Sequence, residues 1–130
     1  MRIHKGNLIN MHTDKFDFQY DSEYDVLFIY NKAGRSSHGI EWGNIDVSYD
    51  NKGKLVNFSL NNASSLLTNL TGKNITKETL KQITNCKISI KEKEGILYIN
   101  FKFYLKDKTM IEDTLPIKAL NYCSPVSSAR

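Results

Sequence analysis

The sequence predicts a single α+β domain made of two antiparallel β-meanders, of about four and three strands, joined by one or two short helices. Three observations predict this fold class. Apolar and polar residues alternate along both halves of the chain, as they do in half-buried strands. In the middle, the spacing of the leucines changes to that of a helix. The 130 residues, 40% hydrophobic and 25% charged, have the length and composition of one globular domain.

The first meander occupies the N-terminal half of the chain. Phe16, Phe18 and Tyr20 alternate with polar residues and predict a half-buried strand. The next strand is apolar on both faces, which favours an interior position in its sheet. Between the second and third strands we expect a loop in which Gly34 adopts a positive φ. The predicted strands cover residues 16–20, 25–30, 42–49 and 54–60, with a hairpin turn at 50–53.

Two helices are predicted next. Leu66, Leu67 and Leu70 share one helical face in the segment 61–70, which starts with a potential asparagine cap and ends before Gly72. A second short helix is predicted over residues 76–84.

The second meander follows these helices. Its three strands are predicted over residues 86–93, 96–106 and 109–117, with turns at 94–95 and 107–108. We therefore expect the domain to span residues 14–118, after a loose N-terminal segment at 1–13 and before a polar tail at 119–130.

Composition excludes several classes of protein. Cys86 and Cys123 are too few for a disulfide scaffold and lack a metal-binding spacing. The N-terminus lacks the apolar stretch of a signal peptide, and no apolar run is long enough to span a membrane. We therefore expect a cytoplasmic protein with no membrane partner. The net charge of +4 permits an acidic partner without requiring one.

Charge is distributed unevenly along the chain. Residues 14–60 carry eight acidic and five basic side chains, whereas residues 71–118 carry six acidic and ten basic ones. These halves could attract one another within a molecule or across a dimer, serve different partners, or simply keep the sheets soluble.

The first candidate site is an acidic turn. Asp21, Glu23 and Asp25 could together supply carboxylate oxygens to Ca²⁺ or Mg²⁺. The alternative is structural: Asp21 accepts backbone hydrogen bonds within the turn, and Asp25 faces water where the next strand starts. We favour the structural alternative, because the sequence lacks the loop of a known calcium motif.

A second candidate is the loop that contains a hydroxyl, an imidazole and a carboxylate. These are ingredients of hydrolytic catalysis, but a serine on a flexible loop lacks the rigid support that a nucleophile needs. We therefore expect no catalytic residues and no cofactor. The residues concerned are Arg35, Ser36, Ser37, His38, Glu41 and Trp42.

The third candidate is a sheet face of lysines and tyrosines. Alternation puts Tyr98, Lys102, Tyr104 and Lys106 on the polar face of one strand. If the polar face of the preceding strand coincides with it, Lys87 and Lys91 join them. Lysines neutralise phosphates and aromatic rings stack on bases, so this face is a candidate for binding nucleic acid. The alternative is an exposed sheet face made soluble by lysines.

Residues 20–29 read Tyr-Asp-Ser-Glu-Tyr-Asp-Val-Leu-Phe-Ile, and residues 45–50 form an apolar strand that ends in an acidic turn. In these features residues 14–70 resemble the domain-of-unknown-function 2283 family of small bacterial and archaeal domains, which opens with Tyr-Asp-x-Glu-x-Asp-x-Leu-Tyr-Ile and continues with such a strand. Asn62, Ala63 and Ser64 match the Asp/Asn-Ala-Ser with which the family enters its helix. Longer archaeal members carry a strand-rich extension similar to residues 75–117.

The chain departs from this family at two positions. Asn57 stands where the family usually has Gly, and Ser59 where it usually has Glu. The resemblance implies no established chemistry. Small members encoded beside toxin-like genes imply an antitoxin-like role in binding a partner.

Together these features predict a non-enzymatic protein–protein interaction module, with a homodimer, an antitoxin-like role or a regulatory role as its possible forms. The alternatives are a nucleic-acid-binding module that uses the lysines and tyrosines, and a metal or hydrolytic site at the acidic turn and the His38 loop.

Overall fold

The computed structural model describes residues 11–12 and 15–118. It confirms the α+β class, with two antiparallel sheets and short helices between them in the chain. Met11 and His12, within the segment expected to be loose, pair with a strand of the second sheet. The rest of that segment and the whole tail predicted at 119–130 lie outside the described residues.

The first sheet has five antiparallel strands: β2 (Phe16–Asp21), β3 (Val26–Asn31), β4 (His38–Trp42), β5 (Ile45–Tyr49) and β6 (Leu55–Asn61). Their order in the sheet is β2-β3-β6-β5-β4. Strand β3 lies between two neighbours, as its apolar sequence predicts.

The path of the chain through this sheet differs from a simple meander. The segment predicted as one strand over 42–49 is divided at Gly43, whose φ of 58° turns the chain. A separate hairpin, β4–β5, results, and β6 returns between β5 and β3. His38, which we assigned to a loop, is the first residue of β4.

Gly34 also differs from its prediction, because its φ is not positive. A Cβ atom at this position would lie 2.8 Å from Cβ of Val56, which is buried. Close packing, and not a left-handed conformation, therefore requires glycine in this loop.

Two helices follow the first sheet, α1 (Ala63–Thr71) and α2 (Lys77–Leu80). Gly72 ends α1 in a left-handed conformation, as predicted. The second helix is shorter than predicted, because Ile83 already pairs with Leu105 at the start of the next strand. Neither helix within the described ranges is long and apolar enough to cross a membrane.

The second sheet has the order β1-β7-β8-β9, in which β1 (Met11–His12) is a two-residue edge strand. Its long strands are β7 (Ile83–Lys93), β8 (Ile96–Leu105) and β9 (Met110–Lys118). Glu94 and Gly95 join β7 to β8, both with positive φ, as a two-residue hairpin turn of this handedness requires.

The inner faces of both sheets contribute to one hydrophobic core. Phe58 of the first sheet and Phe101 and Phe103 of the second are fully buried, and Leu67 of α1 is buried in the same cluster. The Tyr49 hydroxyl donates a 2.8 Å hydrogen bond to the Lys118 carbonyl and so joins the two sheets. Each sheet therefore turns its alternate residues away from the core.

Candidate functional site

The acidic turn after β2 does not gather its carboxylates around one point. The Oδ1 atom of Asp21 accepts hydrogen bonds from the backbone N–H groups of Glu23 and Tyr24, at 2.9 and 3.2 Å. This is the structural role that we predicted for Asp21, because an aspartate at the first position of a turn offers its oxygen to the following amides.

Asp25 has a different environment from the one predicted. It is only 8% exposed, where we expected it to face water, and its φ of 56° directs the chain into β3. Its Oδ1 accepts a 2.6 Å hydrogen bond from the Tyr20 hydroxyl, and its Oδ2 accepts one of 2.6 Å from the Ser64 hydroxyl. The backbone N–H of Ser64 also donates to this carboxylate, at 3.1 Å from Oδ1.

These contacts make Asp25 the cap of helix α1. We expected an asparagine cap at the start of the segment 61–70, but the residue before the helix is Asn62, whose side chain forms no capping hydrogen bond. Its amide donates to Oδ1 of Asn44 at 3.2 Å instead. A carboxylate at the N-terminus of a helix satisfies a free N–H and interacts favourably with the helix dipole. Burial raises the pKa of Tyr20, and the hydrogen bond to Asp25 is the second cause of this increase.

The cation site considered for the acidic turn is therefore not formed. Asp21 is engaged with the turn amides, while Asp25 is turned inward onto α1. Within the described ranges, no three His, Cys, Asp or Glu side chains are grouped in a way that could hold a metal ion.

The segment at residues 35–42 does not bring its hydroxyl, imidazole and carboxylate groups together. His38 and Glu41 are three residues apart on β4, so their side chains project from opposite faces of the strand. Trp42 lies on the inner side of the sheet and packs on the core. The backbone N–H of Ser37 donates to the Tyr49 carbonyl, which holds the loop against β5.

The lysine and tyrosine side chains of the second sheet do lie on one face. Lys87 is directly opposite Lys102, and Lys91 is directly opposite Tyr98, in the pairing of β7 with β8. Tyr104 shares the face, two residues after Lys102. We call these five residues the Lys/Tyr face. Lys106 is not part of it, because β8 ends at Leu105 and the chain turns there.

The surroundings of the Lys/Tyr face are basic and partly apolar. Three of the exposed large hydrophobic side chains belong to this side of the sheet: Ile96, Tyr98 and Met110, at 37%, 36% and 39% exposure. The register also places Lys93 and Lys118 on either side of Ile96. Glu112 opposes this charge, with an oxygen 3.9 Å from Nζ of Lys102.

The outer face of the first sheet carries an aromatic pair that the sequence analysis missed. The rings of Phe28 and Tyr30 stack with their centroids 5.4 Å apart, and Phe28 is 36% exposed. Beside them the sheet is lined by Ser48, Asn57 and Ser59. We call these five residues the aromatic face. The apolar run in β3 indicated burial on both sides, but the alternating Asn57 and Ser59 of the adjacent strand could have revealed an uncovered face.

Acidic side chains border the aromatic face. Asp17 lies opposite Tyr30 and forms an ion pair of 3.6 Å with Lys32. Asp46 lies opposite Ser59 and accepts a hydrogen bond from the Asn61 amide. The aromatic face and the Lys/Tyr face belong to different sheets and both point away from the shared core. At the cleft between β2 and β7, Asp17 beside the aromatic face and Lys87 of the Lys/Tyr face line the same pocket.

Cys86 lies in a cleft between β2 and β7, where its thiol donates to the Phe16 carbonyl at an Sγ–O distance of 3.7 Å. Burial is the main cause that raises the pKa of this thiol to about 11. Because the thiolate is the reactive form, the raised pKa keeps the Cys86 thiol protonated and weakly nucleophilic at neutral pH. Cys123 lies outside the described residues.

Comparison with known proteins supports the sequence resemblance. Residues 17–64 match the family described as "Protein of unknown function (DUF2283)". The chain is also similar to an uncharacterized protein of Methanocaldococcus jannaschii, with 27% identity over 110 residues that cover 82% of this chain and 89% of the relative. No solved structure matches the chain significantly. The family segment thus extends from β2 to Ser64, the residue that Asp25 binds.

Proposed function

We propose from the surface geometry that this protein is a non-enzymatic protein–protein interaction module. The family that residues 17–64 match is described as one of unknown function, so the match does not indicate a role. The binding surface of the module is the aromatic face. The observation that carries this proposal is the stack of Phe28 on Tyr30 on the outer side of the first sheet.

An exposed aromatic pair favours a protein partner for energetic reasons. Full burial of a phenylalanine side chain contributes roughly 1.5–3 kcal/mol. Phe28 still exposes 36% of its surface, so a partner gains part of this energy by covering the ring. Tyr30 adds a hydroxyl that can form a hydrogen bond at the edge of such an interface.

The rest of the aromatic face is suited to close approach. Ser48, Asn57 and Ser59 are short, so the sheet on this side of the stacked rings has no long side chains to displace. On the other side, Gln19 lies opposite Phe28. Asn57 and Ser59 are also the two positions at which this chain departs from the family pattern. A partner specific to this chain would contact them together with the rings.

The partner is a second copy of this chain or another protein, and one pair of variants addresses both. Phe28→Thr with Tyr30→Thr removes the rings while keeping residues that suit a strand. Tyr24→Thr is the control, because Tyr24 is 69% exposed in the turn between β2 and β3. Sedimentation velocity measures self-association, and cross-linking in native lysate followed by mass spectrometry identifies other partners.

We expect a complex with the wild type and with Tyr24→Thr, and its loss in the double variant. A complex that survives in the double variant would exclude the aromatic face. A wild-type protein that is monomeric at every concentration and is cross-linked to no other protein would contradict the proposed function.

A further inference from the structure

We propose that the Lys/Tyr face is a second, independent binding surface, and that its ligand is single-stranded nucleic acid. This surface belongs to the second sheet, outside the family segment at 17–64. The inference does not depend on the aromatic face, since the two surfaces consist of different residues on different sheets.

The first argument is the arrangement of charge and rings. Lys91 stands directly across from Tyr98, and Lys87 directly across from Lys102. Adjacent strands are about 4.8 Å apart, so each tyrosine has ammonium groups within the reach of one nucleotide. Rings that stack on bases, beside cations that neutralise phosphates, are the two elements of a surface that binds single strands.

The second argument is the charge balance of the whole outer side. The register brings five lysines to it, and of the acidic residues of β7, β8 and β9 only Glu112 shares this side by alternation. The lysines are Lys87, Lys91, Lys93, Lys102 and Lys118. The ion pair of Glu112 with Lys102 is long, at 3.9 Å, so it leaves most of this charge available to a polyanion.

The third argument distinguishes a single strand from other polyanions. Tyr98 and Tyr104 are six residues apart on β8, a separation of about 20 Å. A chain that contacts both rings must run along the strand and place its bases against the sheet. Bases paired inside a duplex cannot do this, and acidic peptides have no bases to stack. An anionic membrane would use the lysines but would not require an aromatic ring at residue 98.

The test is fluorescence anisotropy of a labelled 12-nucleotide oligothymidylate and a mixed-sequence RNA of the same length, with the full chain. Salt is varied from about 50 to 200 mM. If Lys87, Lys91 and Lys102 each neutralise one phosphate, the logarithm of the affinity falls with the logarithm of salt with a slope of about −2. The same measurement is made with a 12-base-pair duplex, and with polyglutamate and anionic vesicles as competitors.

Four variants separate specific binding from general attraction. Lys87→Glu with Lys91→Glu reverses charge on the face, whereas Lys73→Glu with Lys77→Glu makes the same change of charge near the helices. Tyr98→Thr removes the ring and Tyr98→Phe keeps it. Circular dichroism and the urea midpoint of each variant show that it is folded.

We expect Lys87→Glu with Lys91→Glu to weaken binding at least tenfold, while Lys73→Glu with Lys77→Glu has a much smaller effect. We expect about a tenfold loss for Tyr98→Thr, since base stacking on one aromatic ring contributes about this factor, and less than a twofold change for Tyr98→Phe. Any of four results would overturn the proposal. The first two are binding that is absent at about 50 mM salt or insensitive to salt, and equal losses of affinity in both charge variants. The other two are wild-type affinity in Tyr98→Thr, and binding of the duplex, polyglutamate or vesicles that is as tight as that of the single strand.

Discussion

The Oδ2 atom of Asp25 accepts a 2.6 Å hydrogen bond from the hydroxyl of Ser64, across 39 residues of chain. This contact joins the turn before β3 to the first residues of α1. Both residues belong to segments that resemble the DUF2283 family, at the opening Tyr-Asp-x-Glu-x-Asp and at the closing Asn-Ala-Ser. We interpret the two motifs as halves of one structural contact, which gives the acidic residue at position 25 a role in the fold.

Stability is predicted to fall at alkaline pH. Burial raises the pKa of Cys86 to about 11 from 9.0 and that of Tyr49 to about 12 from 10.0. The folded protein therefore keeps these protons at a pH at which the unfolded chain has lost them. The stabilisation is complete below pH 9 and is lost as the pH rises towards 12.

Urea unfolding between pH 8 and 11 measures this loss. In Cys86→Ala the loss of stability that begins near pH 9 disappears. The free energy of unfolding therefore falls less between pH 9 and 11 than it does in the wild type. Equal pH dependence of the two proteins would show that Cys86 is not the group responsible.

Gly34 is predicted to be intolerant of a side chain. A Cβ atom there would lie 2.8 Å from two carbon atoms of Val56, so Gly34→Ala should lower the free energy of unfolding by about 1–3 kcal/mol. Gly39→Ala is the control, because its nearest neighbour would be at 3.8 Å. Adding Val56→Ala to Gly34→Ala should make the glycine substitution less costly. If Gly34→Ala and Gly39→Ala have equal effects, the packing described for this loop is wrong.

Added Ca²⁺ or Mg²⁺ is predicted to leave the thermal midpoint unchanged. Both cations need several oxygen ligands, whereas Asp21 already binds the turn amides and Asp25 binds Ser64. Differential scanning fluorimetry with millimolar cation, against the same protein in chelator, makes the comparison. A rise of several degrees that depends on cation concentration would restore the metal hypothesis for the acidic turn.

Local patterns predicted most of the fold. Alternation of apolar residues located the strands of both sheets, and Gly72 and the Glu94–Gly95 turn were assigned correctly. Alternation also predicted that the polar faces of β7 and β8 could coincide, and their register places Lys87, Lys91 and Tyr98 on one side.

Contacts between distant residues account for what the sequence did not predict. Asp25 follows a polar turn, so its sequence suggests exposure, and only the approach of Ser64 gives it a buried partner. Likewise, Ile83 has the spacing of a helix, but its pairing with Leu105 favours a strand. Gly43, whose positive φ turns the chain, divides what alternation indicates is one strand. The order of strands in the first sheet depends on the pairing of β6 with β3, which joins distant parts of the chain.

The most direct test of the central structural claim, that the acidic motif stabilises the fold through Asp25, is the free energy of unfolding of Asp25→Asn in urea. Asparagine tolerates the positive φ at this position but loses the charge and one acceptor oxygen, so we expect a loss of about 1–3 kcal/mol. Asp21→Asn, the same substitution on the exposed side of the turn, should cost less than about 0.5 kcal/mol. Wild-type stability in Asp25→Asn, or an equal loss in both variants, would contradict the account.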